Sequence, residues 1–414
     1  MTRHSTATLL NPIGYDNCLI SACLKKLFCG TSTKNKTEES EYTISNHVAD
    51  VKEDLEKLNK SGLLELSYAY LAKTERSVGV KTRYIVVHRK GEPVLFAYFQ
   101  LFTLTSDNFN LKKDAGFVKG IFRFFLDLKK VKVLITGNGL RNETPCCCYD
   151  ESELSKNEAT EIIAAAAEKI AADEHAAAVI LKDIPVSAHA KKWLTGMAYN
   201  APWEDKVMAM AVSPSWKNLQ DYIGNLSRKY KTRANKILAA GADLTINELT
   251  DKEVHQHEAR IDQLFRQVID NQSFVLTRPA PSHFTDLKKL YGDAFEVIGF
   301  FHKDELVAFY TAFVTDDAYE LYYVGFDYSH NTQYQLYFNL LFSGLERAIL
   351  RGKHLLKLGR TSFDAKASLG AKPTDIDYFI KTVNIPSAVS KWFINYFSSM
   401  EDSKWKQRSP LKEA

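Results

Sequence analysis

FEVIGFFHKDELVAFYTAFVTDDAYELYYVGF, from Phe295 to Phe326, holds three strands in succession. The first, Phe295 to His302, breaks at Lys303, Asp304 and Glu305. The second, Leu306 to Val314, breaks at Thr315, Asp316 and Asp317, and the third runs from Ala318 to Phe326. All three are rich in β-branched and aromatic residues at short spacing, which predicts hairpin pairing into a meander. Alternation along the third strand puts Glu320, Tyr322 and Val324 on one face and Leu321, Tyr323 and Gly325 on the other. The polar stretch Asp327 to Gln333 reads as a loop. Beyond it, Leu336, Phe338, Leu340, Leu341, Leu345 and Ile349 fit a helix buried along one side, closed by Arg347 and Arg351 and stopped by Gly352. A further strand is expected over His354 to Arg360.

Working outward, the same kinds of element recur without sequence repetition. Thr31 to Glu41 is polar and charged and reads as a mobile surface loop. A helix follows from about Asn46 to Asn59, then a hairpin of Thr82 to His88 and Pro93 to Leu104 turning at Arg89, Lys90 and Gly91. Val131 to Gly137 and Ala176 to Lys182 read as strands around an alanine-rich helix over about Glu153 to Asp173. After Trp216 come a basic helix to about Ala240, a strand at Asp243 to Leu249, and a helix over about Asp251 to Asp270. The expected architecture is α/β, layered as in α+β proteins: two tandem units, each a mixed, largely antiparallel sheet flanked by helices. Residues 1–212 form the first unit, 213–396 the second, and 397–414 a charged, mobile tail.

The strand, loop, helix, strand order from Phe295, with LGRTSFDAKASLGAKP (Leu358 to Pro373) and WKNLQDYIGNLSRKYKTRANK (Trp216 to Lys236), resembles the GNAT superfamily of N-acyltransferases. Within it the chain looks like the double-domain branch that includes the Fem-type peptidoglycan aminoacyltransferases and the "peptidoglycan biosynthesis/recognition" proteins. That resemblance implies transfer of an acyl group from acyl-coenzyme A or an acyl carrier protein to a primary amine, on a small molecule, a lipid or an amino sugar. It also implies a donor cleft beside the third strand, where bulge and splay expose backbone groups and Gly325 permits the opening. The carrier's pyrophosphate would lie on the loop Asp327 to Gln333, with Ser329, Asn331 and Thr332 as donors. The family's usual basic residue followed by closely spaced glycines is absent there.

An amine with a pKa near 10.4 is neutral in about one molecule in 10³ at pH 7, so a base must take its proton. Glu320, Tyr323 and His330 are the candidates; Glu320 has a plain alternative as a solvent-facing strand residue, and His330 as an idle loop histidine. Tyr323 or Tyr334 could protonate the leaving thiolate. Lys366 is a catalytic candidate because Fem-type enzymes use a lysine in this region. Arg360, with Thr361 beside it, offers a fork for carboxylate or phosphate, or else an ion pair with Asp364.

Composition bounds the rest. At 414 residues, 45% hydrophobic and 12% aromatic, the chain is long enough for two cored units. A net charge of +4 suits an anionic ligand without calling for nucleic acid. Met1 to Asn11 lacks the apolar run of a signal peptide and no stretch of 18 apolar residues occurs, so a cytosolic protein is expected. Cys18, Cys23, Cys29 and Cys146 to Cys148 have neither zinc-knuckle nor disulfide spacing, and no metal is expected. Leu111 to Lys132 interleaves seven Lys or Arg with phenylalanines, which suits peripheral contact with an anionic membrane at its inner face, or a lipid-tailed substrate. Two other readings stand beside the acyltransferase. An aminoacyl-tRNA-dependent transferase would carry a coiled-coil arm, for which no heptad run is visible. A non-enzymatic binding module would keep the scaffold with a decayed carrier site.

Overall fold

The computed structural model describes residues 34–37, 40–77, 80–109, 126–128, 130–200, 205–383 and 405–412. The first unit begins with β1 (Lys34–Thr37) and β2 (Ser40–Ser45), followed by α1 (Lys52–Leu58) and α2 (Tyr68–Ser77). It continues with β3 (Lys81–Arg89), β4 (Glu92–Leu104), β5 (Val131–Thr136), β6 (Cys147–Tyr149), α3 (Lys156–Asp173), β7 (Ala178–Lys182), α4 (Ala188–Gly196) and β8 (Asp205–Ala211). The second unit opens with α5 (Leu219–Asn225), α6 (Arg228–Ala240), β9 (Thr245–Glu248), α7 (Asp251–Gln256), α8 (Glu258–Ile269) and α9 (His283–Tyr291). Then come β10 (Phe295–His302), β11 (Glu305–Val314), β12 (Ala318–Phe326), α10 (Tyr328–Tyr334) and α11 (Leu336–Leu350). The last elements are β13 (Leu355–Gly359), α12 (Phe363–Ala367), β14 (Lys372–Ile376) and β15 (Tyr378–Thr382).

Two mixed sheets result. The first runs β1-β2-β3-β4-β5-β7-β15 with β6 also on β4, and the second runs β14-β8-β13-β12-β11-β10-β9. Each contains one parallel pair, β5 with β7 and β12 with β13, joined by a buried helix, α3 or α11. α3 is started by a capping box in which Ser155 and Glu158 satisfy each other's backbone. α11 buries Leu336, Leu340, Leu341, Phe342, Leu345 and Ile349 and ends before Gly352, which takes the left-handed φ of 63° that stops a helix. One face of the first sheet packs on α3 and α4, and one face of the second on α5, α6 and α11. The two inward faces share a core: Tyr84, Phe96 and Tyr98 join Phe295, Phe309 and Phe313 around α1, α2, α8 and α9.

Several expectations change. Thr31 to Glu41 is not simply a loop, because Lys34–Thr37 pairs antiparallel with Ser40–Thr43. The basic helix breaks at Leu226 and Ser227, and the helix after Thr250 breaks at His257. The boundary near residue 212 is crossed in both directions: β8 pairs in the second sheet with β13 and β14, and β15 returns to pair with β7. The tail is not free over 405–412. The Trp405 ring meets Phe363 edge-on, Arg408 pairs with Asp364 at 2.8 Å, and Leu411 bridges to Leu226. Cys147 and Cys148 lie in β6 and Cys146 is buried. Most of Leu111 to Lys132 falls outside the described residues, so its membrane role is untouched; of its basic residues, Lys132 donates to the Glu174 carbonyl at 2.8 Å.

Candidate functional site

The site grows from a break in the second sheet. β12 and β13 pair through Ala318↔Leu355, Tyr319↔Leu356 and Glu320↔Lys357, and there the ladder stops. From Leu321 to Phe326 the β13-facing edge of β12 has no strand partner among the described residues, an edge of about 20 Å. The opposite edge carries a β-bulge: between Tyr310↔Val324 and Ala312↔Leu321, Tyr322 and Tyr323 together oppose Thr311. The bulge overturns the expected alternation. Tyr322 and Tyr323 both join the inter-unit core, their ring centroids 4.3 Å apart.

The first unit holds the counterpart of this wedge, closed. At the end of the β5–β7 pairing, the Thr136 hydroxyl donates to the Lys182 carbonyl at 2.6 Å and accepts from the Lys182 amide at 2.7 Å. The buried Lys182 ammonium beneath it is paired with Asp183.

At the open wedge, β13 ends in an unusual turn. Gly359, Thr361 and Ser362 have φ of 70°, 66° and 54°, and the last two are strained for residues with a Cβ. α12 follows and carries Lys366, 3% exposed, whose Nζ donates to the carbonyls of Gly359 at 3.2 Å and Arg360 at 2.5 Å. Burial lowers its pKa to about 7. On the opposite wall Tyr337, in the first turn of α11, reaches the Ser362 side chain and lies near Phe326, 6.0 Å between ring centroids. Sequence reasoning missed Tyr337; its signal was an aromatic residue in the first turn after the polar stretch.

The other predicted residues divide. Glu320 is held by both Nε and Nη2 of Arg141, at 3.1 and 3.0 Å, while Nη1 of Arg141 takes Glu65 at 2.8 Å. The Arg141 guanidinium also lies 3.6 Å from the Phe313 ring centroid. A carboxylate forked by arginine is not a free base, so Glu320 joins the two units. Tyr323 packs among Phe265, Phe284 and Tyr322, and burial raises its pKa. Gly325 does not open the wedge: a Cβ there would stand 2.7 Å from the backbone of Leu264 and Phe265 in α8, so it permits close packing. Arg360 lies over the Tyr378 ring, 5.7 Å from its centroid, and Asp364 pairs with Arg408 instead.

The stretch Asp327 to Gln333 is mainly the helix α10, not a loop, because Asp327 caps it by accepting from the Ser329 amide at 3.0 Å. Burial pushes the Asp327 pKa up, but hydrogen bonds from Ser329 and Arg260 outweigh it and hold the carboxyl below its usual range. Asn331 in turn accepts from the Tyr337 amide at 3.1 Å, capping α11. His330, part-exposed, stacks on Tyr334, whose hydroxyl bonds His302 Nε2 at 3.0 Å. Thr332 lies in α10, its carbonyl accepting from Gln335. One amide at each helix N-terminus that would suit a pyrophosphate is thus taken by the chain's own side chains, the carboxylate of Asp327 at α10 and the amide oxygen of Asn331 at α11.

A second cavity lies between the units, lined by Tyr70, Asn138, Arg141, His283, Asp286 and Tyr322 among others. His283 is buried there; its Nε2 meets the Tyr322 hydroxyl at 3.3 Å, and burial lowers its pKa to about 4. Among the described residues, no group of histidine, cysteine and carboxylate side chains is arranged to hold a metal, and no helix is long and apolar enough to cross a membrane.

Residues 225–367, from the end of α5 to Ala367, match the acetyltransferase (GNAT) domain family. The second unit is a GNAT domain. The open wedge, the bulge and the helix that follows all lie within the matched residues. Among solved structures, FemX is 11% identical with a TM-score of 0.48, covering 84% of this chain and 98% of its own. The tandem GNAT protein from the clavulanic acid biosynthesis pathway is 9% identical with a TM-score of 0.49, covering 84% of this chain and 100% of its own. The C-terminal domain of a putative lysylphosphatidylglycerol synthetase from Agrobacterium fabrum is 9% identical with a TM-score of 0.45, covering 83% of this chain and 96% of its own. No curated protein sequence matches the chain.

Proposed function

We propose that the chain is an N-acyltransferase that moves an acyl group from a thioester carrier to a primary amine in the wedge between β12 and β13. The observation that carries this is the unpartnered edge Leu321–Phe326 beside a buried lysine, with the first unit's counterpart closed by Thr136. An extended amide chain, such as the pantetheine arm of a carrier, adds to such an edge as an extra strand. Its thioester then lies toward the Gly359–Ser362 turn.

Lys366 takes the acceptor's proton. With a pKa of about 7 it is substantially neutral at physiological pH, and the neutral amine keeps two donations to the Gly359 and Arg360 carbonyls while offering a lone pair. The acceptor nitrogen loses its proton to Nζ and attacks the thioester carbon, so a C–N bond forms and the C–S bond breaks. The sulfur leaves as thiolate and takes the second proton that the nitrogen sheds after attack, relayed through the Tyr337 hydroxyl or water.

The test supplies the purified protein with octanoyl thioesters of pantetheine, coenzyme A and acyl carrier protein, together with mixed primary amines, and reads octanoyl amides by mass spectrometry. Amide formation lost in Lys366→Ala is expected. No amide from any donor would refute the reading.

A further inference from the structure

α6 breaks two rules of helix chemistry at once. Its first turn, where the helix dipole favours acids, carries Arg228, Lys229 and Lys231 and no acid at all. Lys229, Arg233 and Lys236 then follow at spacings of four and three, which stacks like charges on one face where they repel. Arg228, Lys229, Lys231, Arg233 and Lys236 are all exposed, and among the described residues none of the five forms an ion pair. A solvated helix face needed only for folding would mix signs. Local conflict of this kind, uncompensated within the fold, marks a surface kept for a partner.

Its position says what the partner carries. α6 packs against α10 and α11: the Asn339 amide donates to the Ile237 carbonyl at 3.1 Å, and the Arg233 guanidinium lies 4.8 Å from the centroid of the Phe338 ring. The basic face therefore borders the first turn of α11, at the mouth of the wedge. Inside that mouth, Asp327 sets a carboxylate at the start of α10 and Asn331 takes one amide of α11, which disfavours a nucleotide's pyrophosphate there. The patch is centred on one helix of 13 residues, roughly 20 Å, and exposed Lys412, whose Nζ donates to the Gly224 carbonyl at 2.8 Å, adjoins its N-terminal end.

We propose that α6 is the docking surface for a small acidic carrier protein that presents its acyl group on a phosphopantetheine arm. This rests on the acyl-transfer reading above and replaces the nucleotide end of coenzyme A by protein. The row of like charges on one exposed helix face is complementary to one acidic helix of such a carrier.

Fluorescence anisotropy with labelled octanoyl-loaded acyl carrier protein tests it, against Arg228→Glu, Lys229→Glu and Lys236→Glu combined. Binding by the wild type that weakens with salt, and about tenfold or more in the variant, is expected. The melting temperature of the variant should hold or rise, since Arg228 and Lys229 oppose the helix dipole and Lys236 repels Arg233 on the same face. Octanoyl-pantetheine separates the two ideas: its turnover alongside absent or variant-insensitive carrier binding overturns the docking proposal alone, while its failure in the wild type strikes the acyl-transfer reading. Preferential binding of transfer RNA, lost in the same variant, would also overturn the proposal.

Discussion

Lys366 is a lysine with no carboxylate partner among its hydrogen bonds, buried against two carbonyls, and its depressed pKa fixes two outcomes. Lys366→Ala should lower turnover about 10² to 10⁴-fold, the usual worth of a positioned base. Lys366→Met should change the pH dependence of stability. The folded pKa lies near 7 and the unfolded one near 10.4. Falling pH in that window protonates the unfolded chain first and costs the wild type roughly 1.4 kcal/mol per pH unit from this group. Denaturant titrations between pH 7 and 10 should show that slope in the wild type and its loss in Lys366→Met. His283 acts in a lower window: with its pKa lowered to about 4, stability should fall as pH drops from about 6.5 toward 4, and His283→Leu should be flatter there. Lys366 stood out as a candidate in the sequence because its neighbours LGRTSFDA carried a family resemblance, while its burial had no local signal. Arg141 was not, since its partners Glu65 and Glu320 lie 76 and 179 residues away and no local pattern announces such pairing.

The meander was readable almost to the residue, β10 to β12 matching the three expected strands, because short alternating runs between polar turns leave little choice. What the pattern hid were tertiary effects. The bulge at Tyr322–Tyr323 flips one residue to the other face, and only the pairing partner Thr311 reveals it. α10 was hidden too, since a seven-residue polar helix has no apolar stripe and depends on its Asp327 cap. Gly325 gives the sharpest check at this scale. Gly325→Ala would press a methyl against the backbone of α8 and should destabilise the protein by about 1–3 kcal/mol, read as a lower denaturant midpoint; an unchanged midpoint would mean that α8 can give way.

Over the whole molecule, the exchange of β8 and β15 between sheets and the shared aromatic core make the two units one cooperative body. Fold class and the two-unit plan were visible in the recurrence of elements, but the exchanged strands were not, because β8 and β15 are short and pair with distant segments. Thermal unfolding should show a single transition. Arg141→Met should lower stability by about 3–5 kcal/mol by stranding Glu65 and Glu320 at the junction, without splitting that transition. Two separate transitions would show units that fold independently. Acyl transfer in the wedge requires the donor to lie along β12, and the most direct test is a crystal structure with a non-hydrolysable octanoyl-pantetheine. The arm is predicted to run along Leu321–Phe326 of β12 with its acyl carbonyl near Lys366; an arm lodged in the first unit at Thr136, or in the cavity beside His283, would contradict it.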